Sequence, residues 1–348
     1  MARLDSICGM KMGQSPDSSS YNENGKGIPF FQGNADFGVI HPTVRVWCDA
    51  PTKIAYEGDI LISVRAPIGA LNIANTECCI GRGLAALTVD ETVCDKQYLW
   101  YGLASKVDEL NSKGTGSTFK AISKNVLAET EIPLPTIDIQ KQISLKLDNV
   151  CNLISLRKQQ LSKLDELVKS RFIELFAGKG YHTLKWNDVF NTTTGKLDSN
   201  AMVENGEYPF FTCAKEVFRI DKYAFDQEAL LLAGNNAAGK YDVKYYNGKF
   251  NAYQRTYVLG LKEKWSYQLF RYQLEDKLVY LQQQSLGGLT KYLTLKILGE
   301  LEFIIPPVDK QNEFSAFVEQ VDKSKFEIQK SLEKLETLKK ALMQKYFG

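Results

Sequence analysis

Histidine is nearly missing: His41 and His182 are the only two among 348 residues. No Cys-His or Ser-His-Asp arrangement recurs along the chain, so the usual acid–base and nucleophilic machinery has little to draw on. Cysteine is present but unorganised. The seven (Cys8, Cys48, Cys78, Cys79, Cys94, Cys151, Cys213) are odd in number and none stands in a C-x-x-C pair. That argues against a zinc site or a disulfide framework and predicts buried free thiols in a reducing cytoplasm. Long apolar runs are lacking too. None reaches the roughly 18 residues of a membrane span, and Met1-Ala2-Arg3-Leu4-Asp5-Ser6 carries no apolar leader core. The expectation is a cytoplasmic protein with no membrane contact.

Strong charge of one sign is also absent, the net value being +2. Residues 1–139 hold 12 basic and 16 acidic side chains, 140–178 hold 7 and 4, 179–309 hold 16 and 15, and 310–348 hold 8 and 6. A stand-alone nucleic-acid binder carries a basic patch. If this chain holds DNA, its cations must be clustered locally or a partner must share the phosphates.

What is present is a unit written twice. Ile28-Pro29-Phe30-Phe31 returns as Tyr208-Pro209-Phe210-Phe211, and Ile132-Pro133-Leu134-Pro135 as Ile304-Ile305-Pro306-Pro307. Gln140-Lys141-Gln142-Ile143 returns as Gln311-Asn312-Glu313-Phe314, and Leu161-Ser162-Lys163-Leu164 as Leu332-Glu333-Lys334-Leu335. The offset is 171 to 172 residues through the back of each copy and drifts to 180 near the front. A half-chain repeat predicts two domain copies related by a pseudo-two-fold axis, suited to a roughly two-fold partner such as duplex DNA. The segments are two fronts, 1–139 and 179–309, and two backs, 140–178 and 310–348.

Each front reads as α+β with mixed strands. Asp59 to Val64 and Ala229 to Ala233 are apolar runs of strand length, and Leu84 to Val89 matches Thr256 to Leu261. Asn247-Gly248 is a hairpin signal. A short helical stretch follows in both copies, Gln97 to Leu110 and Tyr267 to Leu281. Then come a Gly/Ser/Thr loop (Lys113 to Lys120; Ser285 to Tyr292) and a strand ending in the proline pair.

The backs are helical. Ile143, Leu147, Val150, Ile154, Arg157, Leu161, Leu164, Val168, Phe172 and Leu175 step mostly by four and three. The second copy gives Phe314, Val318, Val321, Lys325, Ile328, Leu332, Leu335, Leu338, Leu342 and Tyr346. Such a repeat over about five heptads predicts a coiled-coil seam on helices roughly 55 Å long. Helix one must reach the second front and helix two must run back, so pairing within the chain is antiparallel. The expected molecule is two globular ends on a self-paired handle, with a parallel coiled coil to another chain as the alternative. Arg157 and Lys325 interrupt the seams at nearly matching points, fixing register or snorkelling at the edge.

Two motifs imitate nucleotide sites. Gly234-Asn235-Asn236-Ala237-Ala238-Gly239-Lys240 fits a phosphate loop but is followed by Tyr241 rather than Ser or Thr, and by a strand-like rather than a helical pattern. Gly81-Arg82-Gly83 runs into a strand where a dinucleotide fingerprint needs a helix. A duplicated frame with no duplicated catalytic group points to recognition. A nucleotide-dependent enzyme using Gly234 to Lys240, and a coiled-coil scaffold with no DNA role, are the rival readings.

The whole order resembles the specificity subunit of a type I restriction–modification system. The resemblance is carried by Gly13-Gln14-Ser15-Pro16, Ile28 to Gly33, Gly58-Asp59-Ile60-Leu61, Ala66-Pro67-Ile68-Gly69, Gly116-Ser117-Thr118, and Ile132 to Pro135 with Gln140 and Ile143. It implies a non-catalytic reader with two target-recognition domains, each binding one half of a split, asymmetric site in double-stranded DNA. It also implies a helix pair that sets the spacing of the halves and docks two modification subunits. These would methylate adenine with S-adenosylmethionine, while this chain binds no cofactor; motor and nuclease subunits complete the restriction enzyme. Readers about 50 Å apart would meet major grooves one or more turns of about 34 Å apart. The second copy departs at Ala237, where the first has Pro67, and at Gln254-Arg255, where the first has Arg82-Gly83, so the half-sites should differ.

Candidate DNA contacts lie in loops flanking the repeated strands. They are Lys11, Gln14, Arg65, Arg82, Ser117, Thr118 and Lys120 in copy one, and Lys196, Asn235, Asn236, Lys240, Gln254, Arg255, Lys291 and Tyr292 in copy two. Arginine pairs bidentately with guanine and Asn or Gln with adenine, whereas lysines and hydroxyls more often hold phosphate.

Overall fold

A computed structural model describes residues 1–116, 120–237 and 239–348. Its contacts divide the chain into two units, residues 1–158 with 330–348, and residues 159–329. No helix among the described residues is long and apolar enough to cross a membrane.

The first unit is built on a four-stranded antiparallel sheet in the order Cys8–Met12, Leu84–Val89, Ile60–Ser63, Leu71–Ile73. Its central strands are apolar without alternation because both faces are covered. Ile60, Ile62, Ala85 and Leu87 face a core shared with Tyr98, Leu99 and Leu103 of the helix Lys96–Ser105. Leu61, Leu84 and Ala86 face the other way, onto Phe31, Cys78 and Ile80 of a five-stranded mixed sheet. In that second sheet Ile28–Phe31 runs parallel to Cys78–Ile80. Burial pushes the thiols of Cys8, Cys78 and Cys94 up to about 12, so they are inert packing groups.

The second unit repeats this plan. Phe190–Thr194, Thr256–Leu261, Phe225–Ala233 and Val243–Ala252 pair in that order, and Tyr208–Phe211 and Phe218–Ile220 extend the sheet. Leu230, Leu232 and Leu259 face the helix-side core with Phe270 and Leu274, and Ala229, Leu231 and Val258 face Phe211 and Phe250. Tyr208–Phe211 runs parallel to Val243–Ala252, as its counterpart does in the first unit.

Two local expectations fail. Asn247-Gly248 makes no turn; both lie inside the strand Val243–Ala252, opposite Glu228 and Gln227, with Gly248 at a φ of +129°. The long ladder to Phe225–Ala233 outweighs the local turn preference. The short helical stretch is also broken in both copies, into Lys96–Ser105 and Val107–Ser112, and into Tyr267–Asp276 and Leu278–Gln284.

The long helices span Ile137–Phe176 and Val308–Phe347. In the second unit they pair antiparallel. Lys325 meets Asp165 and Arg171 meets Glu313 at 2.5 Å, over a core of Val168, Leu175, Phe314, Val318 and Val321. In the first unit Lys158 meets Glu336 at 3.2 Å, and Ile143 and Leu147 share a core with Leu342, Tyr346 and Phe347. Lys325 is thus a partnered edge position of the seam. Leu338 departs from the expected seam and is 46% exposed. Two successive three-residue steps, 332 to 335 to 338, rotate it about 120° off the stripe at about 100° per residue.

The repeated glutamine is the joint between sheet module and long helix. Gln140 is fully buried; its Oε1 accepts the Asp95 N–H at 2.8 Å, and its Nε2 donates to Pro135 O at 2.8 Å and Val93 O at 3.1 Å. Gln311 does the same with the Ser266 N–H at 3.0 Å and Pro306 O at 2.8 Å. Asp95 and Ser266 cap the helices Lys96–Ser105 and Tyr267–Asp276, so each glutamine anchors a capped helix start. Replacing Gln140 with leucine keeps the volume but strands three part-buried backbone groups. We expect about 2–3 kcal/mol lost in urea unfolding, and a loss under about 0.5 kcal/mol would contradict this role.

Candidate nucleic-acid interface

In the first unit the ladder between Ile60–Ser63 and Leu84–Val89 pairs Ser63 with Leu84. One further bond runs from the Val64 N–H to Gly83 O at 2.9 Å; Arg65 follows it on one side, and Arg82 precedes it in the turn closed by the Leu84 N–H to Gly81 O at 3.0 Å. On its other side the same segment pairs with residues 120–122. The Ile122 N–H donates to Val64 O and the Ala66 N–H to Lys120 O, both at 3.0 Å, with Arg65 bridged to Ala121. Ala121 also exchanges backbone bonds with Thr115.

Gln14 joins the group through the next strand. The Gly13 N–H donates to Leu84 O at 2.9 Å and the Gln14 N–H to Ile80 O at 3.0 Å. Gly13 is required by close approach, since a Cβ would overlap the carbonyl oxygen of Gly81. Ser15 Oγ accepts the Arg82 N–H at 3.3 Å and bonds the Gln32 side chain at 3.0 Å. Gln14, Arg65, Arg82 and Lys120 therefore share one end of the sheet, all exposed. Among the described residues Arg65, Arg82 and Lys120 enter no ion pair, so a net-acidic segment carries a local cationic edge.

Lys11 does not belong to that edge. Its Nζ donates to Ile54 O at 2.5 Å and sits 4.8 Å from the Tyr56 ring centroid, half-buried within the unit. Ser117 and Thr118 lie outside the described residues. Gln32 is the residue sequence reasoning missed; it directly follows the Phe30-Phe31 strand motif, and its exposure at this edge could have been read from that strand's end.

The second unit builds a like edge with most of the same backbone bonds. Ala233 pairs with Thr256, the Gly234 N–H donates to Arg255 O at 2.8 Å, and Gln254 precedes Arg255 in the turn closed by the Thr256 N–H to Tyr253 O at 2.8 Å. The Leu293 N–H donates to Gly234 O at 2.8 Å, and Asn235 and Asn236 pair with Tyr292 and Lys291. Tyr292 exchanges backbone bonds with Leu286, as Ala121 does with Thr115. The Gly195 N–H donates to Thr256 O at 3.4 Å and the Gln254 N–H to Leu197 O at 2.8 Å, which brings Lys196 to the group. Lys240 lies on the turn after Asn236, its N–H reaching Asn236 Oδ1 at 3.3 Å.

Thr194, Gly234, Gln254, Arg255, Tyr257, Tyr292 and Leu293 line a pocket of about 170 Å³ at this edge. Tyr257 OH donates to Leu293 O at 3.0 Å. Burial pushes its phenol up, and the nearby Arg255 charge pulls it partly back. Asn235–Asn236 is a strand, and the next named element is the strand Val243–Ala252, so among the described residues no helix follows this loop. Gly81-Arg82-Gly83 likewise enters a strand. The edge offers guanidinium, amide and ammonium groups, which can bind an anionic polymer and hydrogen-bond base edges.

Residues 1–166 and 178–340 match the family described as type I restriction modification DNA specificity domain. A Methanocaldococcus jannaschii protein named as the specificity subunit of a type I restriction enzyme, MjaX, is 40% identical over 168 residues, 48% of this chain and 40% of that one. The Escherichia coli type I restriction enzyme EcoDI specificity subunit is 32% identical over 170 residues, 47% of this chain and 37% of that one. The matches thus span about two fifths of the length of these relatives. The crystal structure of the type I restriction–modification system S subunit from M. genitalium is alike in fold, with a TM-score of 0.64 over 99% of this chain and 95% of that one, at 19% identity.

Proposed function

The chain belongs to the type I restriction–modification DNA specificity family, and from that premise we propose that it is the DNA-reading, non-catalytic component of such a system. Each unit reads one half of a bipartite, asymmetric duplex site. The observation that carries this reading is the pair of sheet edges, alike in backbone bonding and unlike in side chains. One frame used twice suits two halves of a site, and different side chains suit halves of different sequence.

On this reading two modification subunits dock on the long helices and transfer methyl groups from S-adenosylmethionine held on themselves. Motor and nuclease subunits join the same assembly in the cytoplasm. The local cations at each edge hold phosphate and the modification subunits share the rest of the duplex, which is how a chain of net charge +2 binds DNA.

The test is a selection from randomised duplexes with the chain and its modification subunits at stated salt. A split motif of two unlike halves with an unread spacer supports the proposal, as does adenine methylation at that motif in cells carrying the gene. Recovery of no sequence preference would sink it and leave the scaffold reading.

A further inference from the structure

The two edges can be aligned residue by residue through their backbone bonds, without reference to sequence similarity. Ser63–Leu84 corresponds to Ala233–Thr256, and one step on, Val64–Gly83 to Gly234–Arg255. The residues flanking that bond correspond in turn, Arg65 to Asn235 and Arg82 to Gln254. On the other flank, the bond from Ile122 to Val64 corresponds to that from Leu293 to Gly234, so Lys120 corresponds to Lys291 and Ala121 to Tyr292.

We propose that this alignment separates anchoring from reading: Lys120 and Lys291 hold phosphate in both half-sites, Arg65 and Arg82 read guanine in one half-site, and Asn235 and Gln254 read adenine in the other. The inference rests on the DNA-reading function proposed above.

The chemistry follows from what is kept and what changes. A contact to phosphate carries no sequence information, so two readers of different sequences can use the same group for it. Lysine, a compact charge on a flexible stem, is kept at equivalent sites. A contact to a base edge must change when the base changes. Both flanking positions change together, from two guanidiniums to two amides. Guanidinium matches the two acceptors of guanine in the major groove, and a carboxamide matches the acceptor and donor of adenine.

The groups are also available. Arg65 and Arg82 are exposed and enter no ion pair among the described residues. Among the described residues the Gln254 side chain has one contact, a long one from Nε2 to Asp198 Oδ2 at 3.5 Å, which a base edge readily replaces.

The experiment is the same duplex selection, run on the assembled complex with wild type, Arg65→Asn with Arg82→Gln, Asn235→Arg with Gln254→Arg, and Lys120→Ala. Exchanging arginines for amides should lower preference for guanine at one or two positions of one half-site by about tenfold to a hundredfold, leaving the other half as an internal control of folding. The reciprocal exchange should act on adenine in the other half. Lys120→Ala should weaken all sequences alike and reduce the salt slope by about 1, with the motif unchanged.

If both exchanges leave the motif intact, or weaken every sequence uniformly, the assignment is overturned while the DNA-reading function stands. If wild type selects no motif, the function itself fails.

Discussion

Truncating Trp186 to alanine should remove about 3–5 kcal/mol of stability from the second unit, the range for emptying a buried aromatic site. Its indole is fully buried, with ring centroids 4.7 Å from Phe190 and 6.2 Å from Phe303, and its Nε1–H donates to Thr192 Oγ1 at 2.8 Å. Rigid strands crowd it, so the cavity cannot collapse cheaply. The backbone explains why the site matters. The Trp186 N–H donates to Leu301 O at 3.0 Å, as the Leu4 N–H does to Thr130 O in the first unit, so Leu4 is its counterpart. Trp186 lies just before the strand Phe190–Thr194, which delivers Gly195 and Lys196 to the candidate interface. At about 2–4 °C per kcal/mol for a unit of this size, the variant should melt roughly 6–20 °C lower by calorimetry. Leu4→Ala should cost less, having less volume to lose and no hydrogen bond. A Trp186→Ala loss under about 1 kcal/mol would contradict this account of the core.

Much of the frame was legible because it is written in periodicity and repetition. The seam residues from Ile143 to Leu175 are buried or half-buried along the first long helix. The unalternating runs around Ile60 and Leu230 are strands covered on both faces. Misreadings came where a local signal met a longer-range competitor. Asn247-Gly248 was overruled by a ladder to a strand some twenty residues earlier, and Leu338 by accumulated helical rotation. The candidate interface was named as a set of loops, and its geometry was not legible. That Arg65 and Arg82, or Asn235 and Gln254, come to one sheet edge depends on bonds closing over long sequence separations, such as Gln14 to Ile80 and Leu293 to Gly234. No local pattern encodes such register. Lys11 shows the converse: a lysine in the right strand is withdrawn by a carbonyl and a ring that only the fold brings near.

Aspartate at both Leu167 and Leu338 should strip the modification subunits from the proposed assembly, and each single variant should remove one of two. Two copies of one partner on one chain must use one surface twice, so the docking residues should recur at the repeat offset. Leu167 and Leu338 are 171 residues apart, the offset of the back repeat, and each is 46% exposed. Neither is needed by the helix seam, because Leu164 and Val168 pack beside the one, and Leu335 is the half-buried seam residue beside the other. An exposed substitution at either site should shift stability by no more than about 0.5 kcal/mol, so loss of partner would not reflect unfolding. Burying a leucine is worth about 1.5–3 kcal/mol, and an aspartate in its place adds the cost of desolvating a charge. Affinity should therefore fall at least about thirtyfold per site. Native mass spectrometry of the reconstituted complex would read one partner for each single variant and none for the double. Two partners retained at wild-type affinity by the double variant would place docking elsewhere on the chain.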